Sequence, residues 1–218
     1  MKLKIDWLNH TLEFIVVLIG ILIAFQLNKC SEHRAQDELI KNHLEYIKEE
    51  CKFNEGILST SIDQIADQIK HCDTLLSIIR TSKNPTAIRS FSTKLLDLRN
   101  VDMNSNAYEV LSQSGDIRYI KNYEKKRSII SMYDSFAKID QINQSNQKLY
   151  DNHFYPYIKE NFDLVNWTSF DTESEKNAEA YYSKEYANTI STYRFLLMAK
   201  ENIYEEIKGN INTYLGES

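Results

Sequence analysis

Between Phe14 and Phe25 the chain reads FIVVLIGILIAF, twelve residues with neither a charge nor a side-chain hydrogen-bonding group. A bilayer core takes roughly 20 apolar residues as helix, so the run alone is short. Extending it from Trp7 to Leu27 gives 21 residues and brings in Asn9, His10, Glu13 and Gln26 near the ends. Polar groups placed there snorkel to the interface, and Trp7 is a suitable interfacial anchor.

Two other readings of the segment compete with an uncleaved anchor. A cleaved signal peptide has its basic start in Lys2 and Lys4, but no A-x-A pattern follows Phe25. The residues Gln26 to Lys29 also lack the small side chains expected before a lipidated cysteine at Cys30. The other competitor is the buried helix of a soluble protein. The expectation is a tail and transmembrane anchor over residues 1–28, followed by one helical domain over 29–218 whose long stalk helix occupies 29–82. Basic residues on the two flanks nearly balance: Lys2 and Lys4 before the run, Lys29, Arg34 and Lys41 after it. A short cytoplasmic tail and an exported C-terminal domain are expected, in the inner membrane of a bacterium.

Gly20 and Ala24 form a small-xxx-small pair that shares a helical face with Glu13, Val17 and Asn28. In lipid, helices associate by close packing and interhelical hydrogen bonds, and this face offers both. It is the candidate membrane-helix association face. Its partner is a second copy or another membrane protein.

The same segment carries a family resemblance. Ile19 to Asn28, IGILIAFQLN, follows Glu13 and precedes Glu32, and the block Tyr108-Glu109-Val110-Leu111-Ser112-Gln113-Ser114-Gly115 continues to Ile120-Lys121-Asn122. In order and spacing these resemble a family of uncharacterised bacterial single-span membrane proteins, over about the first 135 residues. The resemblance implies a membrane anchor with a helical domain beyond it, and no assigned activity. Members of that family usually carry a more basic N-terminal flank than Met1 to Leu12.

Beyond the anchor, only 5 Gly and 2 Pro in 218 residues leave too little turn chemistry for a many-stranded sheet protein, so the class is all-α. A net charge of −5 without a basic stripe removes the electrostatic footprint of nucleic-acid binding. From Ile40 an apolar stripe advances by three and four residues through Leu44, Ile47, Cys51, Leu58, Ile62, Ile65, Ile69, Cys72, Leu76 and Ile79, with Asn54 at a seam position. A coiled-coil-like helix is expected, continuous with the span and weakened or broken near Phe53 to Gly56. Asn84-Pro85 supplies a cap and a first helical residue, so the chain reverses there.

Further on, Thr86 to Leu98 reads as a short helix and Arg99 to Asn104 as a polar connector. A second short helix follows, ending at Gly115. From Asn122 a helix is expected with Tyr123, Ile130, Tyr133, Ala137, Asp140 and Gln144 along its seam and Ile129, Phe136 and Ile139 beside them. A polar, loosely packed end follows at QINQSNQKLYDNHF, and Leu149, His153, Phe154 and Tyr157 resume an apolar face, with Pro156 kinking or restarting the helix. Asn161 to Ala180 reads as an acidic loop with Leu164, Val165, Trp167 and Phe170 tucked down. Ser183 caps a last helix carrying Ile190, Tyr193, Leu197, Tyr204, Ile207, Ile211 and Tyr214. The sum is an elongated antiparallel bundle of four main helices and two short ones.

Cys30, Cys51 and Cys72 are spaced 21 residues apart, too far along one helix to pair within a chain. They suit either disulfides between parallel copies or small apolar positions in a seam. Cys30, His33 and Asp37 share a face but lack a fourth ligand, so no metal is expected. Tyr108, Glu109, Ser114 and Arg118 can be read as polar contacts of a ligand pocket, or as packing, ion-pair and turn residues. No catalytic constellation stands out, and neither an enzyme nor a cofactor is expected. The functional expectation is a membrane-anchored interaction or scaffold protein. A ligand-sensing bundle acting through a partner is the alternative.

Overall fold

The computed structural model describes residues 7–162 and 178–217. The chain is all-helical among them: α1 (Trp7–Arg80), α2 (Pro85–Lys94), α3 (Asn106–Gln113), a 3-10 turn (Asp116–Tyr119), α4 (Tyr123–Leu149), a π turn (Tyr150–Phe154), α5 (Tyr155–Asn161), α6 (Ala178–Tyr181) and α7 (Lys184–Glu217). Expectations for Lys2 and Lys4, for the side chains of Trp7, Asn9 and His10, and for Leu164, Val165, Trp167 and Phe170 fall outside the described residues.

The apolar run and the stalk are one helix of 74 residues. It does not break at Phe53 to Gly56. Gly56 faces open space, and the cost of one exposed glycine, about 1 kcal/mol, is small beside the apolar burial on either side. The stripe predicted from Ile40 to Ile79 is the buried seam: Ile47, Cys51, Leu58 and Cys72 are sealed from solvent, and Asn54 with them. Above Arg80 the chain turns at Lys83, held left-handed at φ 48°, whose N–H donates to Ile78 O at 2.9 Å. Asn84 then caps α2 by accepting from Ala87 N–H at 3.1 Å, with Pro85 in its first turn.

Four legs pack side by side. The chain ascends along α1 and descends through α2, the irregular segment 96–105, α3 and the 3-10 turn. It ascends again through α4, the π turn and α5, and descends along α7. The register is visible in pairs: Asn54 meets Asn104 and His43 meets Asp116 on the first descent. Arg194 meets Asp73 and Lys208 meets Glu55 along α7, which is thereby antiparallel to α1. Lys138 to Glu206, at 2.7 Å, ties α4 to α7 in the same sense. Ion pairs this exposed contribute little, so the register is set by the core.

The third leg departs from expectation at four points. The seam of α4 is Ile129, Met132, Tyr133, Phe136, Ile139, Ile142, Asn143 and Asn146, whereas Tyr123, Ala137, Asp140 and Gln144 are exposed. Two stripes one residue apart compete on this helix, and the one holding more large apolar side chains faces inward. The polar stretch after Gln141 is not a loose end: it continues the helix, with Asn143 and Asn146 buried. His153 is exposed, and Phe154 and Ile158 carry the inward face instead. A π turn over Tyr150–Phe154 joins α4 to α5 just before Pro156, whose ring would collide with the carbonyl four residues back in a regular helix. The expected second and third main helices therefore form one leg.

The α7 seam, Tyr186, Ile190, Tyr193, Leu197, Lys200, Tyr204, Ile207, Ile211 and Tyr214, is buried throughout. Ser183 caps this helix as expected, its Oγ accepting from Tyr186 N–H at 3.0 Å.

Candidate functional site

A segment without regular structure that packs against a core must find partners for the peptide groups it turns inward, because an unpaired one costs about 1–3 kcal/mol. Residues 96–105 meet this demand with side chains from the three long helices. Gln68 donates to Asp97 O at 2.6 Å, Tyr150 to Leu96 O at 3.1 Å and Asn143 to Val101 O at 2.9 Å. Lys200 donates to Arg99 O and to Asn100 Oδ1, and Tyr204 OH holds Asn143 Oδ1 at 2.8 Å. Asn54 forms a closed pair with the Asn104 backbone, donating to its O at 2.8 Å and accepting from its N–H at 2.9 Å.

One turn below, Glu50 accepts from Ala107 N–H at 2.9 Å and from Tyr133 OH at 2.6 Å. Ser105 makes no side-chain cap of its own, so a carboxylate from α1 serves the first turn of α3. The polar residues at seam positions thus clamp the descending leg. Asn54 was visible in the sequence as a polar seam residue; Gln68, Asn143 and Lys200 were not, because their role depends on where the irregular segment passes.

The Tyr-Glu and Ser-Gly block divides between two places. Tyr108 stacks on Tyr133 with ring centroids 4.4 Å apart, and with Glu109 it lines a cavity of about 330 Å³ together with Asp102, Asp134 and Asp140. Ser114 and Arg118 are not part of that cavity. Ser114 Oγ donates to Leu111 O at 3.2 Å, and Gly115 takes the left-handed conformation, φ 75°, that stops α3. Arg118 lies exposed over the Tyr119 ring, and Glu109 accepts from Ser105 Oγ at 2.8 Å. The four residues do not converge on one pocket, and the Ser-Gly pair makes a turn.

Burial shapes the titration of the core. Desolvation pushes the Cys51 and Cys72 thiols up to about 12 and the Lys200 amine down to about 8. Tyr133 is raised first by burial and then by its bond to Glu50. Cys51 Sγ lies 3.6 Å from Met132 Sδ inside the same chain, so Cys51 and Cys72 are small seam residues, sealed from any second copy. Only Cys30 of the three is exposed. Among the described residues no cluster of His, Cys, Asp or Glu is arranged to hold a metal.

The remaining surface is the apolar run. Its most apolar window has a mean hydropathy of 2.1, and no part of that window is buried in the protein. Glu13, Val17, Gly20, Ala24 and Asn28 all lie on this uncovered length, and a methyl group built on Gly20 would meet nothing. The helix is long and apolar enough to cross a membrane. Neither a family model, nor a curated protein, nor a solved structure matches the chain.

Proposed function

We propose that this chain is a membrane-anchored interaction protein: a single span, continuous with a rigid helical bundle, that associates in the bilayer with a second copy or another membrane protein. One observation carries the reading. The apolar length of α1 is wholly uncovered, while the same helix a few turns later is sealed into a core. An uncovered run of this length is costly in water and at home in lipid. The resemblance of Ile19 to Asn28 to single-span membrane proteins of bacteria supports the same placement. The association face is Glu13, Val17, Gly20, Ala24 and Asn28, and the bundle is displayed outside the cytoplasm.

Chemical crosslinking of the full chain in membranes tests this, alongside extraction at alkaline pH. Adducts are expected with the native chain and are lost on Gly20→Ile with Ala24→Ile, while both proteins stay with the membrane. Release of the native chain by alkaline extraction would overturn the anchor, and adducts indifferent to the two substitutions would overturn the face. A reporter fused after Ser218 is expected to be active outside the cytosol.

A further inference from the structure

The α1 helix has a second stripe, on the side turned away from the bundle. Leu39, Tyr46 and Phe53 recur every seven residues and are 43%, 61% and 59% exposed. Asn42, Glu49 and Gly56 fall between them at steps of three and four, all exposed. At 100° per residue this line lies about 150° from the buried seam. It also keeps the phase of Val17, Gly20, Ala24 and Asn28. The association face of the span therefore continues without a break up the outer ridge of α1, and where it leaves the apolar run its small residues give way to large apolar ones.

We infer that this ridge is the contact surface for a second copy of this chain, packed parallel through α1 from the span to Phe53. The inference rests on the proposed anchoring, and names its partner. Two copies inserted in one bilayer are parallel and level, so on a two-fold line each residue meets its own counterpart. Leu39, Tyr46 and Phe53 stack in that arrangement as the apolar positions of a parallel pair, and Asn42 opposite Asn42 fixes the register. Glu49, the one charge on the ridge, then faces its own counterpart, and Lys52 one turn on along each chain offsets the repulsion.

Size decides how the two parts share the work. An aromatic side chain carries at most about 150–250 Å², and the three ridge residues are only 43%, 61% and 59% exposed, so the surface that both copies still have to bury falls short of the roughly 1,000 Å² that a lasting interface needs. The ridge therefore extends an association that the span must begin.

Disulfide scanning of the full chain in membranes reads this directly. With Cys30→Ser, and the buried Cys51 and Cys72 retained, single cysteines are placed by Asn42→Cys and Phe53→Cys on the ridge, Lys48→Cys off it and Ala24→Cys in the span. Oxidation is expected to give adducts of twice the chain mass at the ridge and span positions, about tenfold more than at Lys48→Cys, because a disulfide forms only between backbones within about 7 Å. Equal yields at Asn42→Cys and Lys48→Cys, or adducts of another mass, overturn the inference. Adducts at Ala24→Cys without any at Asn42→Cys leave the anchored association standing and remove the ridge. Adducts nowhere remove both.

Discussion

One helix, α1, presents two kinds of surface. From Thr11 to Cys30 its apolar side chains are uncovered on all sides; from Ile40 to Ile79 it presents a single buried seam and a polar exterior. Between Phe14 and Phe25 the lower length is apolar around its whole circumference, which is what lipid requires. The upper length is apolar on one stripe, which is what a bundle in water requires. Nothing in the backbone marks the change, because hydrogen bonding within a helix is the same in either solvent. Side-chain periodicity alone tells the two lengths apart.

The comparison can be broken most forcefully by matched truncations. Leu58→Ala, in the buried seam, is expected to lower the unfolding free energy of the full chain in detergent by about 3 kcal/mol, read by urea titration of helicity. Ile19→Ala should leave that midpoint unchanged, since its side chain touches no part of the bundle. A comparable loss from both would mean that the apolar run is packed after all.

Within the seam, Asn54→Ala removes both bonds to the Asn104 backbone without leaving a large cavity. A loss of about 2 kcal/mol is expected, with faster hydrogen exchange of the Asn104 amide. An unchanged exchange rate would show that water replaces the side chain at no cost.

Alkaline pH separates the two lengths without mutation, because the buried titrating groups all belong to the bundle. A thiol raised to about 12 when folded, against about 8.5 unfolded, contributes stability that is present below pH 8.5 and lost as pH rises. Lys200, lowered to about 8 when folded, works the other way, adding stability as pH climbs from 8 toward the unfolded value of about 10.4. Two thiols outweigh one amine. The buried tyrosines Tyr133, Tyr186, Tyr193, Tyr204 and Tyr214, raised by burial, act in the same direction as the thiols, so between pH 9 and 10 stability should fall by more than about 1.4 kcal/mol per pH unit. In the Cys51→Ala, Cys72→Ala variant the fall should be shallower by about 2 kcal/mol per pH unit, and an unchanged slope would show that the two thiols do not contribute to it.

The smallest expected effects concern the tyrosines of α7. The Tyr193 and Tyr214 hydroxyls are buried with no hydrogen-bond partner among the described residues, so Tyr193→Phe and Tyr214→Phe should be neutral or slightly stabilising. Tyr204→Phe should cost about 1 kcal/mol, because it leaves Asn143 Oδ1 unmatched. Thermal unfolding of the three variants ranks them.

The sequence by itself determined whatever depends on near neighbours along the chain. The apolar run from Phe14 to Phe25, the seam from Ile40 to Ile79, the caps at Asn84 and Ser183 and the left-handed stop at Gly115 are each a matter of periodicity or of one local hydrogen bond. The candidate association face was legible for the same reason, as a spacing on one helix. Only the tertiary structure decided between the two stripes of α4, since each satisfies the helical period and the choice depends on what the other legs offer. It likewise separated Ser114 and Arg118 from the cavity beside Tyr108, and turned Gln68, Asn143 and Lys200 into partners for an irregular segment distant in sequence. It also left Leu39, Tyr46 and Phe53 bare. A bundle can cover only the face of α1 that its other three legs surround, and which residues stay outside is settled by packing.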